Sequence, residues 1–226
     1  MKKTMILVAI AVSLLLTACG NSDIGIIGGA DGPTSIIVKE KNNASDWGKY
    51  VYKNYVNELS LPVLDIHIEN PFVSDDRTLV LDDTIENNLE LMIYEYYKNS
   101  VSGDYSKVKE VIADEPLLTA TENKEKQFND GIYFSKIILD EIELLDRDDL
   151  EDISVKNRQN IIEKLNNLNV TEFAIIEVEK TVKLNEKYLS VGPQIGDGEH
   201  TRYYLLGKKD DKYKIVEVYW EGLVND

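Results

Sequence analysis

The chain has 226 residues and an acidic balance, with Lys+Arg 25 against Asp+Glu 41 and a formal charge of -16. A surface of that sign repels phosphate backbones and anionic headgroups, which argues against nucleic-acid binding and polybasic membrane docking. One cysteine rules out a disulfide within the monomer, cysteine-based zinc sites and dithiol redox chemistry, while 43% hydrophobic residues suffice for one packed domain.

The first nineteen residues, MKKTMILVAIAVSLLLTAC, combine a basic start at Lys2 and Lys3, an apolar run from Met5 to Leu16 and then small residues. That pattern is a secretory signal peptide, since the run falls short of the roughly 20 apolar residues of a spanning helix. Leu16-Thr17-Ala18-Cys19 resembles the bacterial lipobox. The resemblance implies a signal of residues 1–18, cleavage before Cys19 and a diacylglyceryl group on its sulfur. Two acyl chains give lasting attachment, because each buried methylene contributes about 0.8 kcal/mol. The resulting expectation is a lipoprotein held on the extracytoplasmic face of the cell membrane.

Residues 19–46 read as a tether, ending in the polar run KEKNNASD from Lys39 to Asp46. Within it, IGIIGGADGPTSIIV from Ile24 to Val38 resembles the glycine-rich signature of the β subunit of sodium-translocating decarboxylases, with Gly28, Gly29, Ala30, Asp31, Gly32, Pro33 and Thr34 in place. In that family the signature breaks a membrane helix and the aspartate is implicated in sodium binding. Glycine and proline free backbone carbonyls there, and one carboxylate balances one monovalent cation. The match spans about fifteen residues, and a pump subunit needs many membrane helices to bury such a site. Beside an anchor, two β-branched runs around a Gly/Asp/Pro turn instead suit a small hairpin, or a strand added to a sheet edge of this domain or of a protein partner.

Residues 47–226 are expected to form the globular domain. WGKYVYKNYVNEL places Val51, Tyr55 and Leu59 at helical spacing, and Leu61 to Ile68, with Pro62, reads as extended chain. DTIENNLELMIYEYYKN predicts a helix with Asp83 as N-cap, Glu86 completing a capping box, and Ile85, Leu89, Met92, Ile93 and Tyr96 on one face. A turn at Ser102-Gly103-Asp104 leads to a short helix carrying Val108, Val111 and Ile112, with Asp104 or Ser106 near its cap. SKIILDEIELLD, Ser135 to Asp146, is assigned to strand. RDDLEDISVKNRQNIIEKLNNL reads as a helix with Ile153, Ile161, Ile162, Leu165 and Leu168 on one face and an acidic start. The last third turns to β. Ala174, Ile176, Val178, Val182 and Leu184 alternate with period 2, interrupted by Lys180, and two strands from His200 and Tyr213 flank the turn KKDDK.

Helices first and a long sheet last is an α+β order. The stretches EYYKNSVSGDYSKVKEVI and RYYLLGKKDDKYKIVEVYWEG resemble the NTF2-like (cystatin-like) cone domains of bacterial surface lipoproteins, over Asp83 to Gly222. The resemblance implies a curved antiparallel sheet packed on helices with a pocket at its open end. The helix around Asn157 to Leu168 is additional to that pattern.

Chemistry-bearing motifs are sparse. G-x-S-x-G is absent, and GIIGGADGPTS carries no lysine before its hydroxyl residue, so no Walker loop forms. The acidic run DRDDLED, Asp146 to Asp152, lacks the glycine and terminal glutamate of a calcium loop and reads as a solvated helix start. No metal, cofactor or catalytic residue is assigned. Of the two histidines, His67 and His200, the second lies at a strand start near Asp197 and Glu199, and with Tyr204 and Trp220 it is the candidate pocket set. Three readings follow: a lipid-anchored binding module, an accessory of a sodium-translocating decarboxylase or other transport complex, and a small NTF2-like hydrolase or isomerase using His200.

Overall fold

A computed structural model describes residues 44–193, 195–220 and 222–224, and Asn42–Asp226 form one compact unit. The expected signal peptide, Cys19 and the Ile24 to Val38 segment lie outside the described residues.

The first helix, α1 (Ala44–Asn54), buries Trp47 and Val51, one turn apart. Trp47 donates from Nε1 to the Leu150 carbonyl at 3.3 Å, and the Tyr55 hydroxyl donates to that of Leu145 at 2.5 Å. Leu59 does not extend this face. It sits in a single 3-10 turn, Glu58–Ser60, and is 96% exposed, because the helix has already ended at Asn54.

Four short strands follow: β1 (Ile66–His67), β2 (Phe72–Ser74), β3 (Arg77–Leu81) and β4 (Thr84–Ile85). β1 pairs with β4 as a separate ribbon, and β2 with β3 as a hairpin whose turn puts Asp75 at φ 54°.

Three helices come next: α2 (Asn88–Ser102), α3 (Tyr105–Glu110) and α4 (Glu115–Asn129). The N-cap of α2 is Asn87 rather than Asp83. Asn87 Oδ1 accepts from the amides of Leu89 and Glu90, and Glu90 reaches back to the Glu86 amide at 2.7 Å. Asp83 is used elsewhere, accepting from the amides of Thr84 and Ile142 and so joining β4 to the sheet. Ile85 therefore belongs to a strand. The α2–α3 turn is the expected one: Gly103 caps α2 at φ 80°, where a Cβ would lie 2.5 Å from the Phe128 ring, and Asp104 caps α3.

The remaining elements are β5 (Phe134–Leu144), α5 (Val155–Asn167), β6 (Phe173–Leu184), α6 (Glu186–Ser190), β7 (Gly198–Lys209) and β8 (Lys212–Trp220). The helix expected from Arg147 onward is broken. Asp149–Asp152 form a 3-10 turn, Ile153 is extended, and Ser154 caps α5, so Ile153 is buried ahead of the helix.

The architecture is α+β: a six-stranded sheet, ordered β2-β3-β5-β6-β7-β8, packed against helices. The sheet is mixed and not antiparallel throughout, because β3 and β5 run parallel. Parallel neighbours need a crossover, and α2, α3 and α4 supply it. α1 and α5 pack together at the end where β6 begins, around fully buried Phe173, whose ring lies 6.2 Å from Trp47 and 5.0 Å from Tyr55. The crossover helices lie over the other part of the sheet and leave a space beneath them.

Candidate ligand cavity

That space is a cavity of about 670 Å³, within the usual range of small-molecule sites. Its walls come from α2, α3 and α4, from β5 to β8, and from the segment after α6.

Strand pairing explains which side chains enter it. In β6, residues of even number share a face, so Lys180 points the same way as Val178 and Val182. Val178 stands opposite Arg202 of β7, and Arg202 opposite Trp220 of β8; in the next row Ile176, Tyr204 and Val218 align. Directly opposed residues share a face. One face of three strands thus presents Lys180, Arg202, Tyr204 and Trp220 to the cavity.

Helix α2 completes the polar centre. The Lys180 ammonium donates to the Tyr97 hydroxyl at 2.7 Å, and that hydroxyl lies 2.6 Å from the Tyr204 hydroxyl. Tyr96 meets both tyrosine rings edge-on, at 5.5 and 5.8 Å. Burial pushes the phenols of Tyr97 and Tyr204 well above the usual tyrosine range, so both stay protonated. Lys180 moves the opposite way, down to about 7, by desolvation and by the charges of Arg202 and Lys124.

Toward the opening, the Arg202 guanidinium sits over the Trp220 ring, 3.4 Å from its centroid, and donates to the Thr201 carbonyl at 2.6 Å. Trp220 and Val191 are exposed apolar residues there, and Lys124 is an exposed cation on α4. Deeper in the wall, buried Arg77 lies 4.5 Å from the Phe128 centroid and 5.1 Å from that of Tyr133, and it pairs with Asp75 at 2.8 Å. Four cations, Arg77, Lys124, Lys180 and Arg202, line the cavity, and among the described residues no Asp or Glu does. Most other lining residues are aliphatic or aromatic.

Of the sequence candidates, Tyr204 and Trp220 line this cavity and His200 does not. His200 stands opposite Lys180 in register but turns aside, its Nε2 donating to the Gly196 carbonyl at 3.0 Å. Asp197, its supposed neighbour in chemistry, accepts from the Leu184 amide at 2.7 Å and ends β6. Lys180, Arg202 and Tyr97 are not among the sequence candidates, although Lys180 is the visible break in an apolar alternation. The acidic run is internally satisfied, with Asp146 accepting from the amides of Asp148 and Asp149. Among the described residues no cluster of His, Cys, Asp or Glu is arranged to hold a metal ion, and no helix is long and apolar enough to cross a membrane. The Gly28 to Thr34 motif falls outside the described residues.

Set against known protein families, characterised proteins and solved structures, the chain matches none.

Proposed function

We propose that this chain is a membrane-anchored, extracytoplasmic lipoprotein whose NTF2-like domain binds a small amphiphile with an anionic group and an apolar body. The observation that carries the reading is the charge of the cavity: Arg202, Lys124, a Lys180 partly protonated near neutral pH and the Asp75-paired Arg77 line it, with no carboxylate among the described lining residues, in a chain of formal charge -16. A concave, low-dielectric site of one sign focuses its field on the opposite charge, here an anion, and the aromatic and aliphatic walls suit a hydrocarbon or ring system. Arg202, held over Trp220, is positioned to meet the anionic group near the opening. The lipobox at Leu16 to Cys19 supports the anchor. Buried tyrosines and exposed Trp220 and Val191 line the cavity, an arrangement consistent with the cone-and-pocket plan of the NTF2-like resemblance.

Dodecanoate is a suitable probe, followed by the emission of Trp220 and by native mass spectrometry. The expected result is one dodecanoate per chain, weakened at least tenfold by Arg202→Gln. Equal or tighter binding of dodecyltrimethylammonium would overturn the anionic assignment. The anchor is tested independently: Cys19→Ser should leave the chain exported but released from the membrane, and its continued membrane retention would count against lipidation.

A further inference from the structure

Several partly buried lysines among the described residues are matched with acids. Lys164 reaches Asp114 at 2.8 Å and Glu217 at 3.0 Å, Lys109 reaches Glu125 at 2.9 Å, and Lys208 reaches Glu172 at 3.2 Å. Lys180 reaches a phenol. Its amine lies in the cavity wall, hydrogen-bonded to Tyr97, which is in turn paired with Tyr204. The charged groups facing it are Arg202 from β7 and Lys124 from α4, both cationic, and the uncharged phenols are those of α2 and β7. An amine desolvated beside other cations is the arrangement that activates lysine as a nucleophile. In a chain with 41 acidic residues, an ion pair of the kind made by Lys164, Lys109 and Lys208 is the more ordinary surrounding for a lysine.

We propose that Lys180 is a carbonyl-reactive amine, which condenses with an aldehyde or ketone bearing an apolar body when that molecule enters the cavity. The proposal rests on the cavity being the ligand site. The Nζ lone pair forms the N–C bond while the carbonyl π pair moves to oxygen. One proton passes from nitrogen to that oxygen through the Tyr97 hydroxyl, which takes one and gives one, leaving a neutral carbinolamine. The C–O bond then breaks, the second nitrogen proton leaves with the oxygen as water, and the nitrogen lone pair closes the C=N bond. Amine plus carbonyl gives imine plus water, with no change of oxidation state. The Tyr97–Tyr204 pair holds the relay in place, and the apolar walls keep bulk water from returning the imine to its parts.

The test is reductive trapping. The purified mature chain is treated with octanal and sodium cyanoborohydride, and the octyl mark is located by peptide mapping. At neutral pH the mark should fall on Lys180 at least tenfold faster than on an exposed lysine such as Lys49. The rate at Lys180 should rise through about pH 7. Lys180→Arg should abolish the fast mark, and Tyr97→Phe should slow it about tenfold with the circular dichroism spectrum unchanged. Labelling of Lys180 no faster than of Lys49 would overturn the proposal. Dodecanoate separates the two readings. If it binds while octanal marks Lys180 no faster than Lys49, the amine proposal alone falls; if neither probe engages the cavity, the ligand-site reading falls with it.

Discussion

The Arg202 guanidinium carbon lies 3.4 Å from the centroid of the Trp220 indole, directly across the β7–β8 pair. Arg202 is 5% exposed and Trp220 58%, so the indole covers a buried charge from the solvent side. Truncating the ring should free the guanidinium to turn toward water. Trp220→Ala is expected to weaken dodecanoate binding by about 1 kcal/mol, roughly fivefold. Because the indole is half out of the fold, the urea midpoint should barely move. Isothermal titration beside a denaturation curve checks both halves.

Tyr97 and Tyr204 share one buried hydrogen bond, but they are not equivalent. Tyr204→Phe leaves Tyr97 still in contact with Lys180, whereas Tyr97→Phe removes the partner of both Lys180 and the Tyr204 hydroxyl. A buried polar group stripped of its partner costs about 1–3 kcal/mol. Tyr97→Phe should therefore be the more destabilising single change. Combined with Tyr204→Phe it should cost less than the two added together, because the double variant strands one fewer hydroxyl. Urea unfolding of the three variants gives the coupling energy, and strict additivity would deny the pair.

How much of this could be read in the sequence depends on whether a local pattern had a competitor. The Gly103 turn had none, since only a residue free at φ 80° with no Cβ fits against Phe128. The start of α2 is misplaced by one turn, because Asn87 with Glu90 has the same spacing as the expected Asp83 with Glu86, and Asp83 is drawn off by a distant partner, the Ile142 amide. α4 was not legible because it has almost no buried face; Thr121 is its buried residue and the rest is polar or half-exposed. The parallel β3–β5 pairing has no local signature, as it depends on three intervening helices. At the site, Tyr204 and Trp220 are legible in their aromatic strands, whereas Lys180 shows only as a break in the β6 alternation, which does not by itself mark a cavity. Arg202 and Tyr97 gave no such signal, because an arginine in a strand and a tyrosine in an amphipathic helix are ordinary until register and packing bring them together.

On β5 and β6, Glu141 stands opposite Glu179 and Glu143 opposite Glu177. Like charges directly opposed on a sheet repel. Desolvation first, and the neighbouring acids second, raise the carboxyls of Glu143 and Glu177 above the usual range, although Tyr203 partly offsets this at Glu177. A folded-state value above the unfolded one means that the folded chain holds the proton longer. Stability from this source is full below the ordinary carboxylate range and is lost as pH rises through the raised values. Thermal unfolding should show that decline above about pH 4.3, and Glu177→Gln should flatten it and stabilise the chain at neutral pH. Salt should reduce the part due to repulsion. A variant whose profile coincides with that of the parent would show that the ladder carries no energy.

Lys180 imposes the opposite slope. Its folded value is lowered to about 7, against about 10.4 in an unfolded chain. Below pH 7 both states carry the charge, and folding bears the whole cost of desolvating it. Between those limits the unfolded chain binds the extra proton, so stability should rise with pH, at no more than about 1.4 kcal/mol per unit. The phenols of Tyr97 and Tyr204 beside it stay neutral through that window, so the slope belongs to the amine and not to its hydrogen-bond partners. Lys180→Met keeps the length of the stem and removes the ammonium. The variant should be more stable than the parent at pH 7, should lose the rise between pH 7 and 9, and should leave Tyr97 with its Tyr204 partner. Denaturant midpoints at half-unit pH steps decide it. A variant less stable than the parent at pH 7, with the rise intact, would mean that the ammonium is solvated in the folded chain.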